Sequence, residues 1–356
     1  MDMARRSRPE KPFEPRFSYT HGMVRNLTEI SEARTVVLSA RLVPRWEVSL
    51  RREALLRTAH HSTAIEGNPL SLEDVTALAQ GRKVMATRKA KQEVLNYLSA
   101  LDEVPALSRR EPFTSDDLLS LHRTISHGTL DDPRDEGAFR RRQVVVANRA
   151  TGELVFTPPP TAMVPDLVVG LLDWLGSERA DELDPVILAG VTHYQLVWIH
   201  PFADGNGRTA RALATLVLYK RGFDVKRFFA LDDYYDQDRR GYYAALRAVD
   251  QTTLDLTGWL EYFTTGVAVS ISGVKDRVIG ISRDVKALSQ KGQIPLSERQ
   301  MRIVERMVDS GAITNREVRE MFDISNRAAL DELEGLVELD VVQRTGEGRS
   351  VKYVLV

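Results

Sequence analysis

Residues 200–211 read His-Pro-Phe-Ala-Asp-Gly-Asn-Gly-Arg-Thr-Ala-Arg. An apolar stretch, Val186 to Ile199, leads into this segment, and a second, Ala210 to Tyr219, leads out and stops at Lys220-Arg221-Gly222. Pro201 and the Gly205-Asn206-Gly207 triplet interrupt helical backbone between them. The segment is therefore expected to be helix, tight loop, helix. Gly222 suits a left-handed C-terminal cap, and the two cations before it suit the negative end of the helix dipole.

The second helix is expected to begin near Asn206 or Gly207, which leaves its first backbone N–H groups free beside glycines that let an anion approach closely. Arg208 and Arg211 stand three apart, hence on one helix face, where forked guanidiniums can bind phosphate oxygens bidentately. Asp204 offers a hard oxygen ligand of the kind magnesium takes beside substrate phosphates. His200 ends the first helix and faces the same loop, where a neutral imidazole can take a proton from an attacking hydroxyl. Phe202 reads as a core anchor for the loop, and His193, seven residues before His200, as structural.

The segment resembles the signature of the Fic family, His-Pro-Phe-x-Asp-Gly-Asn-Gly-Arg-x-x-Arg, with every fixed position present. The resemblance implies transfer of AMP from ATP to a Ser, Thr or Tyr hydroxyl of a target protein, with release of pyrophosphate. It implies that His200 deprotonates the hydroxyl and that Asp204 holds Mg²⁺ between the α- and β-phosphates. Gly205, Asn206, Gly207 and Arg208 would cradle the phosphates, and Arg211 would reach the γ-phosphate.

Upstream, His61-Ser62-Thr63-Ala64-Ile65-Glu66-Gly67-Asn68 closes a helical stretch that starts near Trp46. Ser62 and Glu66 are four apart and share a face, and Gly67 can cap the helix end. Beside the first motif, this segment is similar to the family's inhibitory pattern, Ser/Thr-x-x-x-Glu-Gly/Asn, in its N-terminal version. The resemblance implies that Glu66, with Ser62, occupies the place of the γ-phosphate at Arg211 and restrains catalysis.

Residues Val144–Ala147 and Leu154–Thr157 are β-branched or apolar runs around the turn-rich Asn148–Glu153, and predict a hairpin. In the family a hairpin flap here, residues 143–157, receives the target by strand pairing. The Arg140–Arg142 run reads as a solvated or structural cluster. By the family's usual spacing, Tyr242 or Tyr243 is expected to close the adenine pocket, although paired tyrosines at helical spacing also suit a core.

The fold class expected is mainly α: a Fic-like helical core with a β-hairpin flap, plus a C-terminal unit that resembles a winged helix-turn-helix. Residues 1–17 are Pro- and charge-rich and are expected to be disordered or extended. Residues 18–111 form an N-terminal helical region whose inhibitory helix spans about 46–67. The catalytic core follows at 112–265, a connecting helix and linker at 266–295, and the last unit at 296–356. In that unit Ser297–Ser310, a helix capped by Thr314 and Glu317, and a helix from Ser325 to Leu339 precede a hairpin.

Lys and Arg total 49 against 50 Asp and Glu, so net charge indicates no general affinity for polyanions. Residues 314–356 hold six Lys/Arg against nine Asp/Glu, which disfavours DNA binding by the last unit. Protein docking or self-association, including a homodimer, is the expected use. Self-modification is compatible with the chemistry. The absence of cysteine rules out disulfides and thiolate metal sites. The early arginines have no apolar stretch behind them, and the longest apolar runs are about half a membrane span, so no signal peptide or membrane partner is expected. A cytoplasmic location fits. Two alternatives to an adenylyltransferase stand beside it: removal of AMP from targets, and a nucleotide-sensing DNA-binding regulator.

Overall fold

The computed structural model of the chain describes residues 13–40, 42, 44–147, 152, 154–288, 296–346 and 351–355. Its helices in chain order are α1 (His21–Ser39), α2 (Pro44–Ile65), α3 (Leu72–Ala79), α4 (Arg88–Leu107), α5 (Ser115–Ser126), α6 (Val164–Leu175), α7 (Glu178–Asp181), α8 (Pro185–Ile199), α9 (Asn206–Lys220), α10 (Leu231–Gln237), α11 (Arg239–Arg247), α12 (Thr257–Leu288), α13 (Glu298–Ser310), α14 (Asn315–Phe322) and α15 (Asn326–Glu338). Two antiparallel hairpins complete the list, β1 (Val146–Ala147) with β2 (Leu154–Phe156) and β3 (Val342–Thr345) with β4 (Lys352–Leu355). The fold is mainly helical, as the sequence leads one to expect.

Helix boundaries follow the local chemistry. Ser71 with Asp74, Thr114 with Asp117, Ser297 with Gln300 and Thr314 with Glu317 each form a capping box that satisfies two otherwise unpaired backbone donors. α9 ends where expected: the Gly222 N–H bonds to the Tyr219 carbonyl and the Phe223 N–H to that of Leu218. α12 runs without a break through Gly273 and Gly280.

The chain divides into two compact units. One takes in residues through Ala33, then Leu55–Val225 and Ala230–Ser272. Its centre is α8, which buries every residue from Val186 to Leu196. A helix apolar on all faces is stable only inside a core, and α8 is enclosed accordingly. α9 packs along it, α4 and α5 cover α9, and α6 lies against α8. The Trp259 indole of α12 donates to the Gly190 carbonyl at 2.8 Å.

The second unit comprises Arg34–Ala54, Lys226–Phe229 and Gly273–Val356. It thus claims the first half of α2, assigned by sequence to the N-terminal region. Val48 joins Ile303, Val304, Met307, Val318, Leu333 and Tyr353 in its core. Ile313 bridges Tyr353 beside the β3–β4 hairpin, so three helices and a small sheet share one apolar cluster. The tip of this hairpin, the turn around Asn148, residues 1–12 of the expected disordered terminus and the linker at 291–295 lie outside the described residues.

Leu333, fully buried, tests this packing. Leu333→Ala is expected to cost about 2–5 kcal/mol through lost transfer energy and the cavity left behind. Urea unfolding monitored by hydrogen exchange should show the loss in α13–α15 and leave α8 and α9 protected.

Candidate active site

The loop between α8 and α9 is held from three sides. His200 is the left-handed C-cap of α8, with φ 50°, and its backbone N–H still bonds to the Leu196 carbonyl. Arg140, 2 % exposed, fixes the next residues: its N–H donates to the Pro201 carbonyl at 2.8 Å and its Nε to the His200 carbonyl at 2.9 Å. The same guanidinium reaches Thr161 and the Pro159 carbonyl, so loop and flap base share one buried cation. The sequence left Arg140 among solvated or structural arginines; burial makes it structural, while Arg141 faces Asp132 and Asp135.

Phe202 is fully buried and stacks on His122, with centroids 3.7 Å apart and planes at 1°. His122 Nδ1 accepts the Gly137 N–H at 3.0 Å, so its Nε2–H is left to donate to the Asp204 carbonyl, also at 3.0 Å. Burial, first, pushes the His122 pKa down to about 4, the Asp204 carbonyl opposing and Arg208 adding to the fall. Asn206 turns back: its amide accepts from Phe202 N–H and donates to the Phe202 carbonyl. Its side chain is thereby engaged in shaping the loop, and it has its backbone N–H to offer an anion.

α9 starts at Asn206 behind Gly205, whose φ of 79° suits a residue without a Cβ. The Glu66 carboxylate lies against this first turn, where a Cβ on Gly207 would collide with Glu66 Oε1. An acid sits where a helix N-terminus favours negative charge.

Arg211 is 3 % exposed, and several acceptors converge on its guanidinium. Nε donates to Ser62 Oγ at 2.8 Å, and Nη2 to the Ser62 carbonyl and Glu66 Oε1, both at 2.9 Å. Asp232 Oδ1 lies 3.0 Å from Nε in an ion pair. Burial alone would lower the Arg211 pKa, but Glu66, Tyr242 and Asp232 reverse the sign and raise it well above the ordinary value. Arg208 differs. It is equally buried, yet among the described residues Nε and Nη1 have no hydrogen-bond partner, and its ion pairs to Glu93 and Asp204 are long, at 3.8 Å. Buried donors without acceptors are costly unless an anion fills them.

His200 Nδ1 lies 3.2 Å from the Val197 carbonyl, which leaves Nε2 as the basic nitrogen. Burial, aided by Arg140 and opposed by Val197, Glu66 and Asp204, lowers its pKa below the ordinary 6.5. The Asp204 side chain is half exposed, with Oδ1 accepting the Gly205 N–H at 2.6 Å. A carboxylate open to water beside an anion site suits magnesium, which keeps much of its hydration.

Sequence and structure part over the tyrosines. Tyr242 is core: its hydroxyl meets His193 Nε2 at 2.9 Å and its ring stacks on Tyr235 at 4.5 Å. Tyr243 is 41 % exposed, with its hydroxyl 3.5 Å from the Ile65 carbonyl at the end of α2. His193 is fully buried and structural, as expected. Reading the sequence missed His122, Glu93 and Asp232; only Asp232, in an acidic pair before two tyrosines, carried a visible signal.

Residues 112–218 match the family model described as Fic/DOC family. The chain is 32 % identical over 220 residues to "Protein adenylyltransferase Fic" of Nematostella vectensis, covering 59 % of this chain and 48 % of that protein. It is 34 % identical over 179 residues to "Protein adenylyltransferase fic-1" of Caenorhabditis elegans, covering 49 % and 34 %. The chain thus spans half or less of the length of these curated relatives. A crystal structure of a Fic family protein from Desulfovibrio desulfuricans G20 superposes with a TM-score of 0.64 at 25 % identity, over 97 % of this chain and 98 % of that one.

The buried imidazole of His122 sets a pH dependence. A folded pKa depressed from 6.5 to about 4 means that the unfolded chain binds the proton first. Stability is therefore full above pH 6.5 and is lost as pH falls toward 4, by on the order of 3 kcal/mol. Urea titrations across that range should show the slope, and His122→Gln should flatten it.

Proposed function

We propose that this chain, which carries a domain of the Fic/DOC family at residues 112–218, is an autoinhibited protein adenylyltransferase. It would transfer AMP from ATP to a Ser, Thr or Tyr hydroxyl of a target protein. The observation that supports restraint is the Glu66 carboxylate on Arg211 at 2.9 Å, over the first turn of α9. A γ-phosphate offers a guanidinium the same pair of charged acceptors as a carboxylate does, so the two compete for Arg211. With Arg211 taken, ATP would bind with its α-phosphate out of line, and transfer of this kind depends mainly on positioning.

Once Glu66 withdraws, the N–H groups at Gly205–Gly207 and the unpartnered donors of Arg208 would bind the phosphates, with Arg211 at the γ-position. His200 Nε2 takes the proton of the target hydroxyl as its oxygen attacks the α-phosphorus. The bond to the bridging oxygen breaks, and pyrophosphate leaves with its electron pair. Asp204 would hold Mg²⁺, which when bound neutralises phosphate charge. Arg140 keeps His200 in place throughout through its carbonyl. The target would pair with the flap, where Val145 and Leu154 are more than half exposed. Tyr243, rather than buried Tyr242, is the candidate to cover the adenine.

Incubation with Mg²⁺ and ATP labelled at the α- or γ-phosphate tests the assignment. Glu66→Gly should raise protein-bound α-label by roughly 10²-fold, the scale associated with misplaced reacting groups. His200→Ala should lower it by roughly 10²–10⁴. Label from the γ-position, or none in any variant with lysate as target, would contradict the proposal. In Glu66→Gly, transfer needs neutral His200, whose pKa lies below 6.5. The rate should therefore hold as pH drops through 6.5 and decline only below it; decline centred above 6.5 would exclude His200 as the base.

A further inference from the structure

The penultimate turn of α2 carries a second cluster, on the face toward α10. One ligand atom each from His60, His61 and Asp236 lies within 4.8 Å of the others. Both imidazoles are oriented from behind. His60 keeps one ring nitrogen at the Leu70 carbonyl, while its Nδ1 is buried and has no hydrogen-bond partner among the described residues. His61 places Nε2 3.0 Å from Asp233 and Nδ1 2.8 Å from Asp236. A carbonyl behind His60 leaves its Nδ1 as a lone pair, which is how metal-ligating histidines are normally supported; in His61 the ion would take the place of the proton shared between Nδ1 and Asp236. Ligands on a tetrahedral ion at about 2.0–2.2 Å stand roughly 3.3 Å apart, within the spread of this cluster. Arg57 pairs with Asp233 and Arg239 with Asp236, and a bound ion would share Asp236 with Arg239.

We propose that His60, His61 and Asp236 form a site for a divalent transition ion of the zinc class, separate from Asp204, that fastens the end of α2 to α10. Two imidazoles and one carboxylate select borderline ions over magnesium or calcium, and water completes the fourth position. The consequence is regulatory. Glu66 follows five residues after His61 on α2 and its last turn, and Asp232 precedes Asp236 by four on α10; both hold Arg211. An ion across the two helices stabilises the arrangement in which Glu66 reaches Arg211. This consequence rests on the restraint proposed for Glu66, whereas the binding itself does not.

The test uses the full chain stripped with a chelator and titrated with Zn²⁺ against a fluorescent competitor, without nucleotide. One zinc per chain is expected. His60→Gln and Asp236→Asn should each weaken binding by more than tenfold, and Asp233→Asn, which removes only the supporting carboxylate, by about 10–100-fold. Asp204→Asn should leave it unchanged. Hydrogen exchange of residues 55–66 should slow on zinc addition to the native chain. No zinc bound, equal affinity in folded His60→Gln and Asp236→Asn, or binding with unchanged exchange would each overturn the proposal. If zinc binds and slows exchange while no variant transfers AMP, the site stands and the transferase reading fails.

Discussion

Arg211 is a guanidinium 3 % exposed in a helical core, and the surrounding structure is arranged to keep that charge tolerable. An isolated buried charge costs several kcal/mol, and removing one partner of a buried pair typically costs about 3–5 kcal/mol. Two anions meet the demand. Asp232 on α10 is almost fully buried, and Glu66 at the end of α2 is a quarter exposed. The difference in exposure gives the pair distinct roles. Asp232 is a fixed counterion, and Glu66 is one that water, or another anion, can replace without leaving Arg211 bare. Ser62 adds a hydroxyl and a carbonyl to the same guanidinium, tying the last turn of α2 to it as well.

The second constraint is rigidity of the loop between α8 and α9. Its polar groups are satisfied from within: Asn206 on Phe202, His122 on Asp204 and Gly137, and Arg140 on His200 and Pro201. Pre-ordered donors need no reorganisation when charge arrives. Beside the loop, the buried Nε and Nη1 of Arg208 find no acceptor among the described residues. The chemistry proposed for His200 depends on the same order, because its neutral imidazole is oriented by Val197 and seated by Arg140.

How much of this was legible in the chain depends on range. The helix, loop and helix around residues 200–211, the caps at Gly67, Gly222 and Thr314, and the helices of the second unit were readable, because apolar periodicity and capping chemistry are local. Ser62 and Glu66 were readable as one face of a helix. The Glu66 contact to Arg211 spans 145 positions and followed from resemblance, not from spacing. His122, Glu93 and Asp232 were not found, since each becomes significant only through a partner far away in sequence. Tyr242 and Tyr243 show the limit most clearly. Adjacent on one helix, they point about 100° apart, so one enters the aromatic core and the other the surface; composition cannot say which. Val48 belongs with the C-terminal core for a similar reason, as its partners, Met301 to Tyr353, are all far downstream.

The central claim is that Glu66 occupies the position of a γ-phosphate, and calorimetric binding of a non-hydrolysable ATP analogue and of ADP, each with Mg²⁺, tests it most directly. The native chain and Glu66→Gly should bind ADP alike, because nothing of ADP needs Arg211, while Glu66→Gly should gain at least about tenfold, roughly 1.4 kcal/mol, for the ATP analogue alone. Equal gains for both nucleotides, or no gain for either, would contradict the account and place Glu66 outside the competition for Arg211.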